Sequence, residues 1–71
     1  MARVIAEETV LRAGEGPHSG SVWYYRAGQL IAVDALHDAR AYMVGKRLID
    51  SGRSADPVRV ADTSIPVKEL M

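Results

Sequence analysis

The feature that most constrains this chain is a β-hairpin signal followed directly by a helix signal. Residues 21–25 are a run of β-branched and aromatic residues, which favours a strand. Gly28 suits a tight turn, and the apolar residues 30–33 suit the returning strand. Asp34 can cap a helix, because its carboxylate can accept a backbone N–H of the first turn, and Gly52 can end that helix. The sequence therefore predicts a hairpin with one helix packed on it.

The flanking segments extend this unit to a small α+β fold. Imperfect alternation of apolar and polar residues predicts a strand at residues 3–11 and a short one at residues 58–61. Pro66 is incompatible with a central strand, so residues 63–71 are predicted as an extended C-terminal arm. We expect residues 1–62 to form a single domain, with a mostly antiparallel sheet of three or four strands and one packed α-helix.

The chain is short for the apolar surface that it must bury. It has 71 residues and no cysteine, so it lacks both a large core and the disulfides or thiolate zinc sites that stabilise many small domains. Apolar residues make up 48% and charged residues 25%, which favours a folded chain over a disordered one. Oligomeric contact is the remaining common source of stability. We therefore expect other protein subunits as partners, in a homo- or hetero-oligomeric assembly.

Charge and hydropathy disfavour two other classes of partner. Nine basic side chains are balanced by nine acidic ones, whereas a nucleic-acid-binding domain normally carries a basic surface. No apolar run approaches the roughly 18 residues that a membrane-spanning helix needs. Neither nucleic acid nor a membrane is the expected partner.

The residues that could carry chemistry lack the spacing that chemistry requires. His18 and His37 have no second ligand at a metal-binding spacing such as H-x3-H. Residues 14–20 are rich in glycine but lack the lysine of a phosphate loop, and Pro17 removes one amide donor. Ser19 adjoins a histidine only within this loop, which does not orient a base beside a nucleophile. We expect no catalytic residue, no metal, no cofactor and no small-molecule substrate, and hence a non-enzymatic protein.

Apolar side chains on three segments are the candidate contacts with a partner. The aromatic face of the second strand can form the core or an interface. The helix has two apolar arcs on roughly opposite sides, of which one can contact a partner or the C-terminal arm of the same chain. The arm itself can lie on a neighbouring subunit or return to its own hairpin. The candidate partner-binding residues are Trp23, Tyr25, Val44, Leu48, Ile65, Val67 and Leu70.

A motif within the hairpin and helix is similar to a pattern in a known class of proteins. Tyr25 and Gly28 form a Y-x-x-G turn, Asp34 ends the next strand as an acidic cap, and residues 51–55 close the helix as a small-Gly-x-x-Ala segment. Over residues 22–55 this resembles small structural proteins of tailed bacteriophages. The resemblance implies an accessory component of the phage particle, for head decoration or head–tail joining. It places the protein in the virion or in the cytoplasm of the bacterial host, and it implies no catalytic residue.

A second function remains open from the sequence. Aromatic and arginine side chains cooperate in stacking on single-stranded bases. A small cytoplasmic regulator could bind nucleic acid or a host protein through Trp23, Tyr25, Arg26 and Arg40. A steep salt dependence of DNA binding would favour this alternative.

Overall fold

The computed structural model of the protein describes residues 6–71. Its fold consists of one antiparallel sheet and one main helix. The strands pair in the order β1-β2-β3. The α+β class, with a small antiparallel sheet and one main packed helix, is confirmed. In chain order the elements are β1 (Glu8–Ala13), β2 (Gly20–Arg26), β3 (Gln29–Leu36), α1 (Ala39–Asp50), α2 (Pro57–Ala61) and a 3-10 helix (Val67–Leu70).

The first strand is displaced from its predicted range. β1 begins at Glu8 and extends to Ala13, two residues beyond the predicted strand of residues 3–11. Residues 3–5 of that prediction lie outside the described residues. Among the residues that the structure describes, β1 pairs only with β2 and forms one edge of the sheet.

The hairpin between β2 and β3 turns over two residues, as predicted around Gly28. Ala27 and Gly28 have positive φ angles of 52° and 76°. Positive φ at both central residues is the pattern of a type I′ turn, whose twist matches that of the paired strands. Glycine adopts this conformation freely, whereas Ala27 holds it at a cost of about 1 kcal/mol.

Helix α1 begins later than predicted. Asp38 is its N-cap, and the Asp38 carboxylate accepts the backbone N–H of Ala41 at 3.2 Å. The prediction of Asp34 as the cap was wrong because pairing with β2 continues as far as Leu36, which keeps Asp34 within β3 opposite Val22. Both aspartates suit an N-cap by residue type, and the length of the sheet pairing decides between them.

Two glycines set the end and the packing distance of α1. Gly52 follows the helix with φ 72° and ends it as predicted. Gly45 lies on the buried face, where an added Cβ would come within 2.6 Å of Cγ1 of Val33. The helix therefore lies closer to β3 than a residue with a side chain would allow.

Residues 57–61 form a short helix, so the predicted strand at residues 58–61 was wrong. The Asp56 carboxylate accepts the backbone N–H of Val58 at 2.9 Å, and Pro57 occupies the first helical position. An aspartate cap followed by proline is a helix start, because proline at this position loses no internal hydrogen bond. The local cap overrides an apolar alternation that spans only four residues.

The C-terminal segment lies on its own chain. Residues 67–70 form one turn of 3-10 helix, and Leu70 is buried. Ile65 and Val67 are half-buried against the same core. Of the two alternatives for residues 63–71, the structure shows the return to the same chain, as a helical turn rather than as an edge strand.

Candidate functional site

The seven predicted partner-binding residues come together in the core of the chain. The two aromatic residues of β2 project from the inner face of the sheet, where Trp23 is 0% and Tyr25 1% exposed. Val44, Leu48 and Leu70 belong to the same buried cluster, and the half-buried Ile65 and Val67 pack against it. No partner is needed to explain this burial, and a role in partner binding stays a prediction. The other members are Val44, Leu48, Ile65, Val67 and Leu70.

The polar atoms of the two buried aromatic residues are paired inside the chain. Nε1 of Trp23 donates to Oγ of Ser21 at 2.8 Å, and the Tyr25 hydroxyl donates to the backbone oxygen of Ala55 at 2.8 Å. Burial raises the pKa of Tyr25 to about 12, and the negative charges of Glu8 and Asp56 add to this effect. The Tyr25 contact holds the segment after α1 on the sheet. A platform for stacked bases needs an exposed aromatic face, which Trp23 does not offer.

Arg12 is a buried cation that sequence reasoning missed. Only 7% of its surface is exposed, and its guanidinium donates to the backbone oxygens of Val60 at 2.9 Å and Asp62 at 3.0 Å, and also to that of Ile65. An arginine is stable in a core where its fixed fork of N–H groups meets acceptors. The sequence signal was its position two residues after Val10, on the same face of an alternating strand.

A shallow depression lies where the loop after β1 meets the start of α1. Its volume is about 430 Å³, and its wall includes Ser19 and His37. The Ser19 hydroxyl donates to the backbone oxygen of Gly16 at 2.8 Å and accepts the Gly16 N–H at 3.0 Å, so it shapes the loop. Within residues 6–71, no group of three His, Cys, Asp or Glu side chains is placed to hold a metal ion. The depression thus has the size of a small-ligand site without an assembled catalytic set in the described chain.

The sheet face turned away from the helices carries exposed apolar residues. Leu11 of β1 lies beside Val22 of β2, and at the next row Ala13 and Leu36 flank a glycine. Leu11 is 75% and Leu36 62% exposed. We call these four residues, Leu11, Ala13, Val22 and Leu36, the outer patch.

A polar pair borders the outer patch on the same face. The Tyr24 hydroxyl donates to Oδ2 of Asp34 at 2.9 Å. This hydrogen bond is the main cause of a raised pKa of Tyr24, since removing the phenolic proton would place a second negative charge beside the carboxylate. The outer face therefore combines apolar surface with a carboxylate that already has a partner.

Comparison with known proteins identifies the family. A family model described as Reductase C-terminal matches residues 3–71. The chain belongs to this reductase C-terminal family. It is 36% identical over 67 residues to the 5,5'-dehydrodivanillate O-demethylase ferredoxin reductase subunit of Sphingobium sp. (strain NBRC 103272 / SYK-6). That match covers 94% of this chain and 16% of the relative, so the chain spans about a sixth of the length of this curated relative.

Family membership overturns the functional predictions from the sequence. The resemblance of residues 22–55 to tailed-phage proteins was wrong, because the reductase match spans residues 3–71 and a hairpin followed by a helix occurs in many unrelated folds. The prediction of a head-decoration or head–tail joining protein in a virion was therefore wrong. The alternative, a regulator that binds nucleic acid or a host protein, was wrong as well. The prediction of a non-enzymatic protein was also wrong, since the chain matches the C-terminal domain of a reductase enzyme.

Among residues 6–71, the structure contains no helix with the length and apolar character that crossing a membrane requires.

Proposed function

We propose that this chain serves as the C-terminal domain of a ferredoxin reductase, the electron-transfer component of an oxygenase system. The observation that carries the proposal is the 36% identity over 67 residues to a ferredoxin reductase subunit. The match of residues 3–71 to the family model described as Reductase C-terminal supports it. We place the reductase in the cytoplasm and its redox chemistry in the rest of the polypeptide.

A domain replacement tests this proposal. The chain is grafted into the Sphingobium reductase subunit in place of the matching segment, and the rate of ferredoxin reduction is measured. We expect a rate within about tenfold of the natural reductase, which corresponds to about 1.4 kcal/mol in the activation free energy. A reductase truncated before the segment should lose most of that rate.

A graft carrying Gly45→Val is the matched control. Its added side chain meets Val33 in the core, so the domain should fail to pack and the protein should behave like the truncated reductase. A folded wild-type graft that reduces ferredoxin no faster than the truncated reductase would contradict the proposal.

A further inference from the structure

We propose that the outer patch is the surface through which this domain docks on the preceding part of its own reductase polypeptide. The inference rests on the proposed function, because that function supplies the rest of the polypeptide. It assigns the face of the sheet opposite the helices as an interface between domains, with Leu11 and Leu36 on its two outer strands.

The residue pattern of the sheet indicates that both of its faces are covered. An antiparallel sheet with one solvated face normally alternates apolar and polar residues. In β3, residues 30–36 are instead apolar at every position except Asp34. Leu11 and Val22 add apolar surface on β1 and β2, and Asp34 of β3 lies opposite Val22 at the border of that surface. The helices cover the inner face, so among residues 6–71 nothing covers the apolar residues of the outer face.

The outer patch has the shape of a contact surface. Gly20 stands between Ala13 and Leu36 in the pairing and leaves a hollow between them. The resulting shallow groove has a volume of about 530 Å³, with Leu11 and Leu36 on its walls. Exposed leucines that share one sheet face in this way are typical of interaction sites, whereas singly scattered ones are ordinary surface.

The area of the face favours a domain of the same polypeptide over a second copy. Strands about 4.8 Å apart and about 3.4 Å per residue give a three-stranded face of about 350 Å². Counting both sides, contact over this face buries about 700 Å², which lies within the range of interfaces between domains of one chain and below the roughly 1,600 Å² of independent partners. Covalent linkage raises the effective concentration, so a small interface suffices. The match covers 16% of the relative, so a reductase of that length has enough further polypeptide to form the partner surface of this interface.

Single cysteines measure the accessibility of the patch, since the natural chain has none. Leu36→Cys reports on the outer patch, and Val58→Cys reports on α2, where the natural side chain is 77% exposed. Each variant is labelled with a maleimide in the isolated chain and in the reductase graft, and the labelled peptide is followed by mass spectrometry. We expect Leu36→Cys to react at least about tenfold more slowly in the graft, with Val58→Cys equally fast in both. Equal rates for Leu36→Cys in the two contexts would overturn the proposal.

A charge substitution gives a second, independent measurement. The pair Leu11→Asp and Leu36→Asp should lower the unfolding temperature of the grafted domain clearly more than that of the isolated chain, because only the docked state buries these positions. Met43→Asp, on an exposed position of α1, is the control and should have the same small effect in both contexts, because the loss of helix propensity does not depend on docking. An equal effect of the double variant in both contexts would count against docking.

The same graft separates this inference from the proposed function. Slow labelling of Leu36→Cys in a graft that does not reduce ferredoxin would support docking and contradict the electron-transfer role. Fast labelling in an active graft would overturn docking and leave the role intact. Slow labelling in the isolated chain that depends on its concentration would overturn docking in favour of a second copy.

Discussion

At the scale of single residues, the most consequential groups are the polar atoms buried between the sheet and the helices. Arg12 links β1 to α2 and the segment after it, and Tyr25 links β2 to the segment after α1. The hydrogen bonds from Arg12 to Val60 and from Tyr25 to Ala55 are buried, so loss of either donor would leave a backbone oxygen buried without a partner. A buried acceptor without a partner costs about 1–3 kcal/mol, so such links stabilise the fold mainly by what their loss would leave behind.

Replacing Arg12 by methionine tests the first link. The substitution keeps much of the apolar stem and removes the donors to Val60, Asp62 and Ile65. We expect the free energy of unfolding to fall by about 3 kcal/mol, measured by urea denaturation at neutral pH. Arg53→Met, on an exposed side chain, should change it by less than about 0.5 kcal/mol. Equal stability of the two variants would show that the guanidinium contacts contribute nothing.

The raised pKa of Tyr25 leads us to expect a loss of stability in alkaline solution. Its pKa is about 12 in the folded chain and about 10 in an unfolded one, so the folded state retains the phenolic proton over that interval. The stabilisation is fully present below pH 10 and should fall by about 2 kcal/mol as the pH rises from 10 to 12. Urea unfolding at several pH values measures it. In Tyr25→Phe most of this decline should disappear, and an unchanged decline would assign it to other groups.

The sequence predicted which residues share a strand face where the strand signal is strong. It placed Trp23 and Tyr25 on one face of a strand, and the structure puts both in the core. It missed Arg12 because residue type alone assigns arginine to the surface, although alternation within β1 places Arg12 on the same face as Val10.

At the scale of elements, local caps and sheet register compete to set the boundaries. The hairpin was predictable because β-branched and aromatic residues flank a turn that Gly28 permits. The start of α1 was not, since Asp34 and Asp38 suit a cap equally and only the length of the β2–β3 pairing separates them. For α2, the segment is too short for its apolar periodicity to distinguish a strand from a helix. The Asp-Pro pair at its start, which the sequence does contain, is the feature that indicates a helix.

Gly45 sets the spacing between α1 and β3, which leads to a prediction about their packing. Gly45→Ala should gain about 1 kcal/mol of helix propensity, yet its Cβ would stand 2.6 Å from Val33. Overpacking costs typically 1–3 kcal/mol, so we expect a net loss of stability by urea denaturation.

A double-mutant cycle with Val33→Ala isolates this contact. Val33→Ala removes the γ carbons at 2.6 and 3.1 Å from the new Cβ and leaves only the Val33 Cβ at 2.9 Å, so Gly45→Ala should be clearly less destabilising beside Val33→Ala than in the natural background. Additive effects of the two substitutions would show that the close approach does not limit the packing.

At the scale of the whole molecule, function was the property that the sequence could not supply. The chain corresponds to about a sixth of its reductase relative, and its core uses the residue types that any small α+β domain uses. The expectation of contact with other protein came from apolar surface in excess of what a short chain can bury. The exposed Leu11 and Leu36 are consistent with that reasoning, while the identity of the partner depends on the family rather than on any motif.

The C-terminal turn carries the last prediction, because its contacts involve the whole fold. Leu70 is buried against the core and Val67 is half-buried, so a chain ending at Ile65 would expose the surface that they cover. Loss of these contacts should cost about 3 kcal/mol, which lowers the unfolding temperature by more than about 10 °C in a domain of this size. Thermal unfolding followed by circular dichroism measures the change. Removing only Met71, whose side chain is 47% exposed, should have little effect. If the shorter chain unfolds at the same temperature as the full one, residues 66–71 contribute nothing to this domain and are available to a neighbouring protein surface.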